Sequence, residues 1–285
     1  MTVRTIAVLG AGIMGRGIAY VSALGGFDTV LQDTDAQALE RGRAEIDSLL
    51  DGGVKAGKVD GQAAAAARAR LSLTGSLSAA AQGADLVVEA VPEKIDLKLE
   101  VFRALDQCAP PHAVLASNTS SLSVTEIAAA TGRPRQVIGM HFFNPVHRMK
   151  LLELVRALET SDATLGTAAE IGARMGKECV VVRESPGFVT SRVNAMIGNE
   201  AFYMLQEGIA SARDIDKALK LGLNHPMGPF ELVDLVGLDT RLSILRFLHR
   251  TLGEKFRPCP LIEQYVAAGR LGLKVGRGVY DYPQP

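Results

Sequence analysis

The residues best equipped for chemistry lie in the stretch "GMHFFNPVHRMKLLELV", residues 139–155. His141 sits in one apolar, strand-like run and Glu153 in the next, twelve positions later. An imidazole titrates close to neutral pH, so it can take a proton and return it. A carboxylate on the second ring nitrogen fixes the tautomer and favours the imidazolium, which makes the two types together a general acid–base pair. A lone histidine in an apolar strand reads more readily as a satisfied core residue. The pair therefore has to be judged by what surrounds it.

A second chemical signal stands near the start. "GAGIMG" sets Gly10, Gly12 and Gly15 at G-x-G-x-x-G spacing, with Ile13 and Met14 between the last two. The first glycine permits the tight turn and the second lets backbone approach a pyrophosphate. The third allows helix to pack closely on strand, and the helix N-terminus receives the anion. Asp33 follows Gly15 by 18 residues, at the end of the next strand-like run. A carboxylate there accepts hydrogen bonds from both ribose hydroxyls and repels a 2′-phosphate. No Arg or Lys lies between Asp33 and Glu40 to hold such a phosphate, so the pattern favours NAD over NADP.

The elements that must carry these residues alternate. Strand-like runs cover 5–10, 28–33, 71–74, 84–92, 113–118, 136–143, 150–155 and 178–184. Helical patterns lie at 13–24, from 35 onward, at 96–105 and at 163–175, and the alanine-rich stretch within 52–76 also favours helix. Such alternation predicts an α/β fold: a doubly wound, mostly parallel Rossmann-type sheet covered on both faces. The character changes at "SPGFV", residues 185–189, beyond which helical patterns follow at 188–207, 211–220, 229–235, 238–251 and 259–268. We expect an NAD-binding domain over 1–185 and an all-α domain over 186–285. The rigid turn at Pro226, Gly228 and Pro229 reads as architecture. Helices there are apolar on more than one face, which points to a dimer contact.

Composition excludes several classes. Lys plus Arg and Asp plus Glu both number 31, so no bulk charge attracts nucleic acid or an anionic membrane. Three widely spaced cysteines imply neither a disulfide framework nor zinc, and no other metal site is indicated. Arg4 before the apolar run 6–27 imitates a signal peptide, but Arg16 and four glycines interrupt it, so a cytoplasmic protein is expected. His112, His147, His225 and His249 show no carboxylate pairing in the sequence and default to structural or surface roles.

Taken together, "GAGIMGRGIA", "EAVPEKIDLK", "SNTSSL", "HFFNPVHRMKLLELV", "SPGFVTSR", "DIDKALKLGLNHPMGPFELVDLVGLD" and "GRGVYDY" resemble the 3-hydroxyacyl-CoA dehydrogenase family. The likeness is greatest to its short, single-function 3-hydroxybutyryl-CoA dehydrogenases, and it spans nearly the whole chain in order. It implies NAD-dependent interconversion of an (S)-3-hydroxyacyl-CoA, such as 3-hydroxybutyryl-CoA, with the 3-ketoacyl-CoA, such as acetoacetyl-CoA. By the same resemblance His141 is the acid–base and Glu153 its partner. Ser120 contacts the substrate oxygen and the nicotinamide side. Glu93, Lys98, Asn118 and Asn144 line the cofactor, with Lys274 reaching it from the C-terminal segment. A homodimer is also implied. Many relatives carry an asparagine two residues after "GFV", where this chain has Ser191. Ser191 and Asn194, one helical turn on, are both candidates for that place.

Lys55 and Lys58 are candidates for the phosphates of coenzyme A, or simply solvated lysines. "SNTSSL" also supplies a capping box from Ser123 and Glu126. Two other readings compete: a hydroxyacid or sugar-acid dehydrogenase on the same plan, and a non-catalytic NAD-binding protein. A protein of the second kind has no need of an acid–base pair.

Overall fold

The computed structural model describes residues 3–283. The chain splits after Ser185 into two compact units, each described here by itself. The first carries strands β1 (Thr5–Leu9), β2 (Asp28–Gln32), β3 (Leu71–Thr74), β4 (Leu86–Glu89), β5 (Val114–Ser117), β6 (Val137–Phe142), β7 (Leu151–Arg156) and β8 (Glu178–Arg183). They form one sheet in the order β3-β2-β1-β4-β5-β6-β7-β8. Its helices are α1 (Ile13–Leu24), α2 (Ala36–Lys55), α3 (Gly61–Arg70), α4 (Leu77–Ala81), α5 (Ile95–Cys108), α6 (Val124–Ala129) and α7 (Asp162–Arg174). The α/β class and the Rossmann-type order over the first six strands are those that the alternation predicts.

Every residue of β4, β5 and β6 is buried, so both faces of the sheet centre are covered. That is why these strands read as continuous apolar runs rather than alternating ones. All neighbours are parallel except β6 and β7. The reversal follows from chain length: residues 143–150 make an eight-residue link, and a parallel crossover needs a dozen or more. Strand order reverses between β1 and β4, which makes the crevice beyond their carboxyl ends the expected ligand site.

The apolar run after Arg4 is divided between β1 and α1, whose Ile18, Ala19, Tyr20 and Val21 join the core. Among the described residues no helix is long and apolar enough to cross a membrane. The alanine-rich stretch is α3, capped by Asp60 and pinned to α2 where Arg68 meets Asp47 at 3.1 Å.

The second unit holds α8 (Thr190–Gln206), α9 (Ala212–Gly222), α10 (Pro229–Val236), α11 (Leu238–Leu252) and α12 (Pro260–Ala267) around Phe202, Phe230, Leu245, Phe256 and Ile262. Two buried carboxylates tie it together. Asp216 accepts from Phe230 N, Glu231 N and the Tyr280 hydroxyl, while Asp234 accepts from Val279 N, Tyr280 N and the Tyr282 hydroxyl. Gly228 and Gly278 are required beside them, since a Cβ at either would stand 2.3 Å or 2.0 Å from the nearest aspartate atom.

Candidate active site

His141 and Glu153 face each other directly across the antiparallel β6–β7 pair. Cross-strand partners bring their Cβ atoms to about 5 Å, close enough for the side chains to meet. The imidazole Nδ1 lies 2.7 Å from Glu153 Oε2, with both side chains almost wholly buried. The Phe143 ring covers the imidazole at 4.3 Å between centroids. A short bond to a carboxylate inside an apolar wall is strong because little water competes for it.

The glycine turn has the shape that its spacing requires. Gly10 has φ +96°, and a Cβ there would sit 2.7 Å from Ala90 O. A Cβ on Gly15 would fall 1.7 Å from Gly10 O, so only glycine lets α1 pack this closely. At Gly12, by contrast, a Cβ would meet nothing within 4 Å. Gly12 is the N-cap of α1 and offers no side-chain cap, which leaves first-turn amides pointing into that open space. Ile13 is exposed and Met14 half-buried at the same turn. Asp33 Oδ2 accepts from Ala11 N at 2.7 Å and Oδ1 from Asp35 N at 3.0 Å. It thus stands beside the turn with acceptor capacity to spare for a ribose. These residues fit a dinucleotide.

Between the turn and the histidine runs a polar network. Lys98 is fully buried, its ammonium 2.6 Å from Glu89 and 3.3 Å from Glu93. Glu93 Oε1 accepts from Thr119 Oγ1 at 2.5 Å, from Ser120 N at 2.9 Å and from Ser120 Oγ at 3.4 Å. Asn118 Oδ1 accepts from Phe142 N at 3.0 Å, one residue past His141. Asn144 is exposed and joined to Pro145 by a cis peptide. Ser123 caps α6 through Glu126 N at 3.1 Å, and Glu184 accepts from the Ser123 hydroxyl and Thr125 N. Sequence reasoning missed Glu89. The carboxylate that closes the apolar run "LVVEA" was the available signal.

Other candidates belong to other elements. Lys58 lines a cleft of about 860 Å³ together with Tyr20, His147, Arg148 and Lys177, whereas Lys55 is exposed at the end of α2 and does not line it. In the second unit Ser191 and Asn194 are half-buried on α8, and Lys274 holds Asp239 at 2.6 and 2.7 Å. Two of the remaining histidines do pair with carboxylates: His112 with Asp85 at 3.0 Å and His249 with Glu254 at 3.1 Å. Both pairs are partly solvated surface contacts, unlike the buried His141 pair.

Comparison with known proteins agrees over the full length. A family model described as the NAD-binding domain of 3-hydroxyacyl-CoA dehydrogenase matches residues 5–185, and its C-terminal-domain counterpart matches 187–282. The chain is 47% identical to a probable 3-hydroxybutyryl-CoA dehydrogenase of Bacillus subtilis, covering 100% of this chain and 99% of that protein. It is 46% identical to a 3-hydroxybutyryl-CoA dehydrogenase of Bradyrhizobium diazoefficiens, with 98% and 96% covered. The crystal structure of an (S)-3-hydroxybutyryl-CoA dehydrogenase from Ralstonia eutropha superposes with TM-score 0.96 at 42% identity, over 99% of this chain and 100% of that one. The chain belongs to the 3-hydroxyacyl-CoA dehydrogenase family.

Proposed function

We propose that this member of the family interconverts (S)-3-hydroxybutyryl-CoA and acetoacetyl-CoA, with His141 as general acid–base oriented by Glu153. The observation that carries the proposal is the buried 2.7 Å contact between the two. Bound NAD would supply the hydride acceptor for oxidation at the substrate's C3, and bound NADH the hydride donor for the reverse. An aliphatic hydroxyl is a very weak acid, so a positioned base must remove its proton as the hydride leaves. His141 Nε2 takes that proton in oxidation and gives it back to the carbonyl oxygen in reduction. Glu153 keeps the ring in the tautomer that makes this possible and offsets the charge of the imidazolium.

The other residues supply orientation. Ser120, held by Glu93, offers its hydroxyl to the substrate oxygen on the nicotinamide side. Gly12, Ile13, Met14 and Asp33 receive pyrophosphate and ribose, while Glu93, Asn118 and Asn144 stand at the nicotinamide end. Lys98 acts through Glu93 rather than by direct contact, because its ammonium is fully enclosed. Lys58, and more remotely Lys55, serve the phosphates of coenzyme A. Ser191, through its hydroxyl, or Asn194, through its amide, supplies the hydrogen-bonding contact from α8, and Lys274 a contact from the C-terminal segment. A homodimer in the cytoplasm completes the reading, with residues 186–285 supplying substrate contacts and the dimer surface.

NADH oxidation by acetoacetyl-CoA, followed in the near ultraviolet for the native protein and His141→Ala, tests it. Native turnover that falls about a hundredfold or more in the variant, with NADH binding intact, is expected. A native protein that binds NADH but leaves acetoacetyl-CoA unchanged would overturn the substrate. Equal rates in both would remove His141 from the mechanism.

A further inference from the structure

We infer that Glu89, buried beneath the site and touching no ligand-facing surface, is the positioning residue that sets the geometry of both halves of the active site. The inference rests on the proposed dehydrogenase reading.

Glu89 is the last residue of β4 and is wholly inaccessible. Its carboxylate serves three separate segments. Oε1 accepts from Val91 N at 2.8 Å and from Lys98 Nζ at 2.6 Å, and Oε2 accepts from Ser117 Oγ at 2.6 Å. The backbone of the same residue accepts from Asn118 N at 2.7 Å. One route then leads through Asn118 Oδ1 to Phe142 N, and so to the strand end that carries His141. The other leads through Lys98 to Glu93, which grips Ser120 by both its amide and its hydroxyl. Ala90, the next residue, donates its amide to Leu9 O and carries the carbonyl against which Gly10 packs.

The electrostatics explain why a carboxylate is used. Lys98 is fully enclosed, and a lone buried ammonium is strongly disfavoured unless anions surround it. Glu89 is the nearer anion and Glu93 the farther one. With Glu89 in place, Glu93 need not close on the ammonium and keeps one oxygen for Thr119 and Ser120. If Glu89 loses its charge, Glu93 becomes the sole counter-ion of Lys98, and the attraction draws it away from the Ser120 loop; if Lys98 goes as well, Glu93 loses the ammonium that anchors its other oxygen and no longer holds Ser120 in one place. A purely structural ion pair would have no such consequence for turnover once folding is restored.

Two variants separate these readings: Glu89→Gln, which keeps shape but removes charge, and the double variant E89M/K98M, which replaces the pair by apolar groups of similar size. Melting temperature, NADH affinity by fluorescence, and kcat and KM for acetoacetyl-CoA are measured for each. Misplacing reacting groups by a fraction of an ångström to an ångström costs about tenfold to a hundredfold in rate. We expect kcat to fall by that factor in both variants, although E89M/K98M melts close to the native protein. A folded double variant with native kcat and KM would overturn the inference, and so would failure of both variants to fold, which would assign the pair to stability alone. If E89Q does not fold, E89M/K98M decides by itself. Inactivity of the native protein toward acetoacetyl-CoA would instead refute the substrate reading, and NADH affinity in the variants would then decide whether Glu89 orders the site.

Discussion

Replacing Glu153 by glutamine isolates the role of one charge. The side chain is almost fully buried and keeps its shape in the variant, so packing is undisturbed and the fold should persist. What changes is the 2.7 Å contact to His141 Nδ1. A hydrogen bond to a charged, buried partner contributes about 1.5–3 kcal/mol. The amide can also turn its NH2 toward Nδ1 and hold the ring in the tautomer that presents N–H, rather than a lone pair, to the substrate hydroxyl. At about 1.4 kcal/mol per factor of ten, kcat/KM should fall about ten- to hundredfold. Stopped-flow oxidation of NADH by acetoacetyl-CoA measures the chemical step, and equilibrium titration with NADH checks that the cofactor half is untouched. A kcat/KM within about threefold of native, with tight NADH binding and a native melting temperature, would refute the argument that the carboxylate orients and charges the imidazole.

Three further outcomes are expected. Asp33→Ala should weaken NADH about ten- to a hundredfold, read by fluorescence titration, because the two ribose hydrogen bonds proposed for its carboxylate would be lost; NADPH should be affected far less. Arg241 is nearly fully buried on α11, no described group meets its Nε, and burial lowers its guanidinium from the ordinary arginine range to about 10. That depression corresponds to about 3 kcal/mol of unfavourable burial at neutral pH, so Arg241→Met should raise the melting temperature by several degrees, and a drop would contradict it. Glu231 is held below the ordinary carboxylate range, chiefly by the hydrogen bond from Lys220 and then by Gly228 N. A carboxyl lowered on folding binds fewer protons in the native state, so its contribution is present above the ordinary range and lost as acidification passes the lowered value. The melting-temperature gap between native and Glu231→Gln should therefore close as pH falls through that range; a gap constant across it would refute the pairing.

How much of this was legible in the sequence depended on whether a residue's partners were local or patterned. The glycine turn, Asp33 and the alternation of strands and helices are encoded within short windows, and the observed sheet matches them. The His141–Glu153 contact was also legible, because a link of eight residues between two strands leaves hardly any geometry but a hairpin-like return. Glu89 was not. Its partners Lys98 and Ser117 stand 9 and 28 residues away on other elements, and no periodicity distinguishes a buried carboxylate from an ordinary strand end. The same holds in the second unit for Asp216 and Asp234. Both lie on helices and turn inward to amides and hydroxyls as many as 64 and 48 residues away. Partners that distant become neighbours only once the fold exists.

The placement of the proposed acid–base pair follows from the one reversal in the sheet. Leu9, Glu89, Ser117 and Gly139 form a single register row across β1, β4, β5 and β6, near the edge where the first three of those strands end. β6 continues beyond that row, and His141 is its penultimate residue. Had the next strand been parallel, it would have begun at the opposite edge of the sheet. Its third residue would then lie far from the crevice. Because β7 returns antiparallel, its third residue, Glu153, lies opposite His141 at the edge where the switch point opens. A dinucleotide fold of parallel strands lines this crevice with strand ends and loops. Here a hairpin-like return adds a buried anion rooted in the interior of a strand that is paired on both sides, by β6 and β8. Lengthening the 143–150 link should therefore lower kcat for acetoacetyl-CoA, because it loosens the strand that carries the carboxylate, and should also weaken NADH, because Val146 of the link packs on Gly17 of α1; a native kcat would refute the argument.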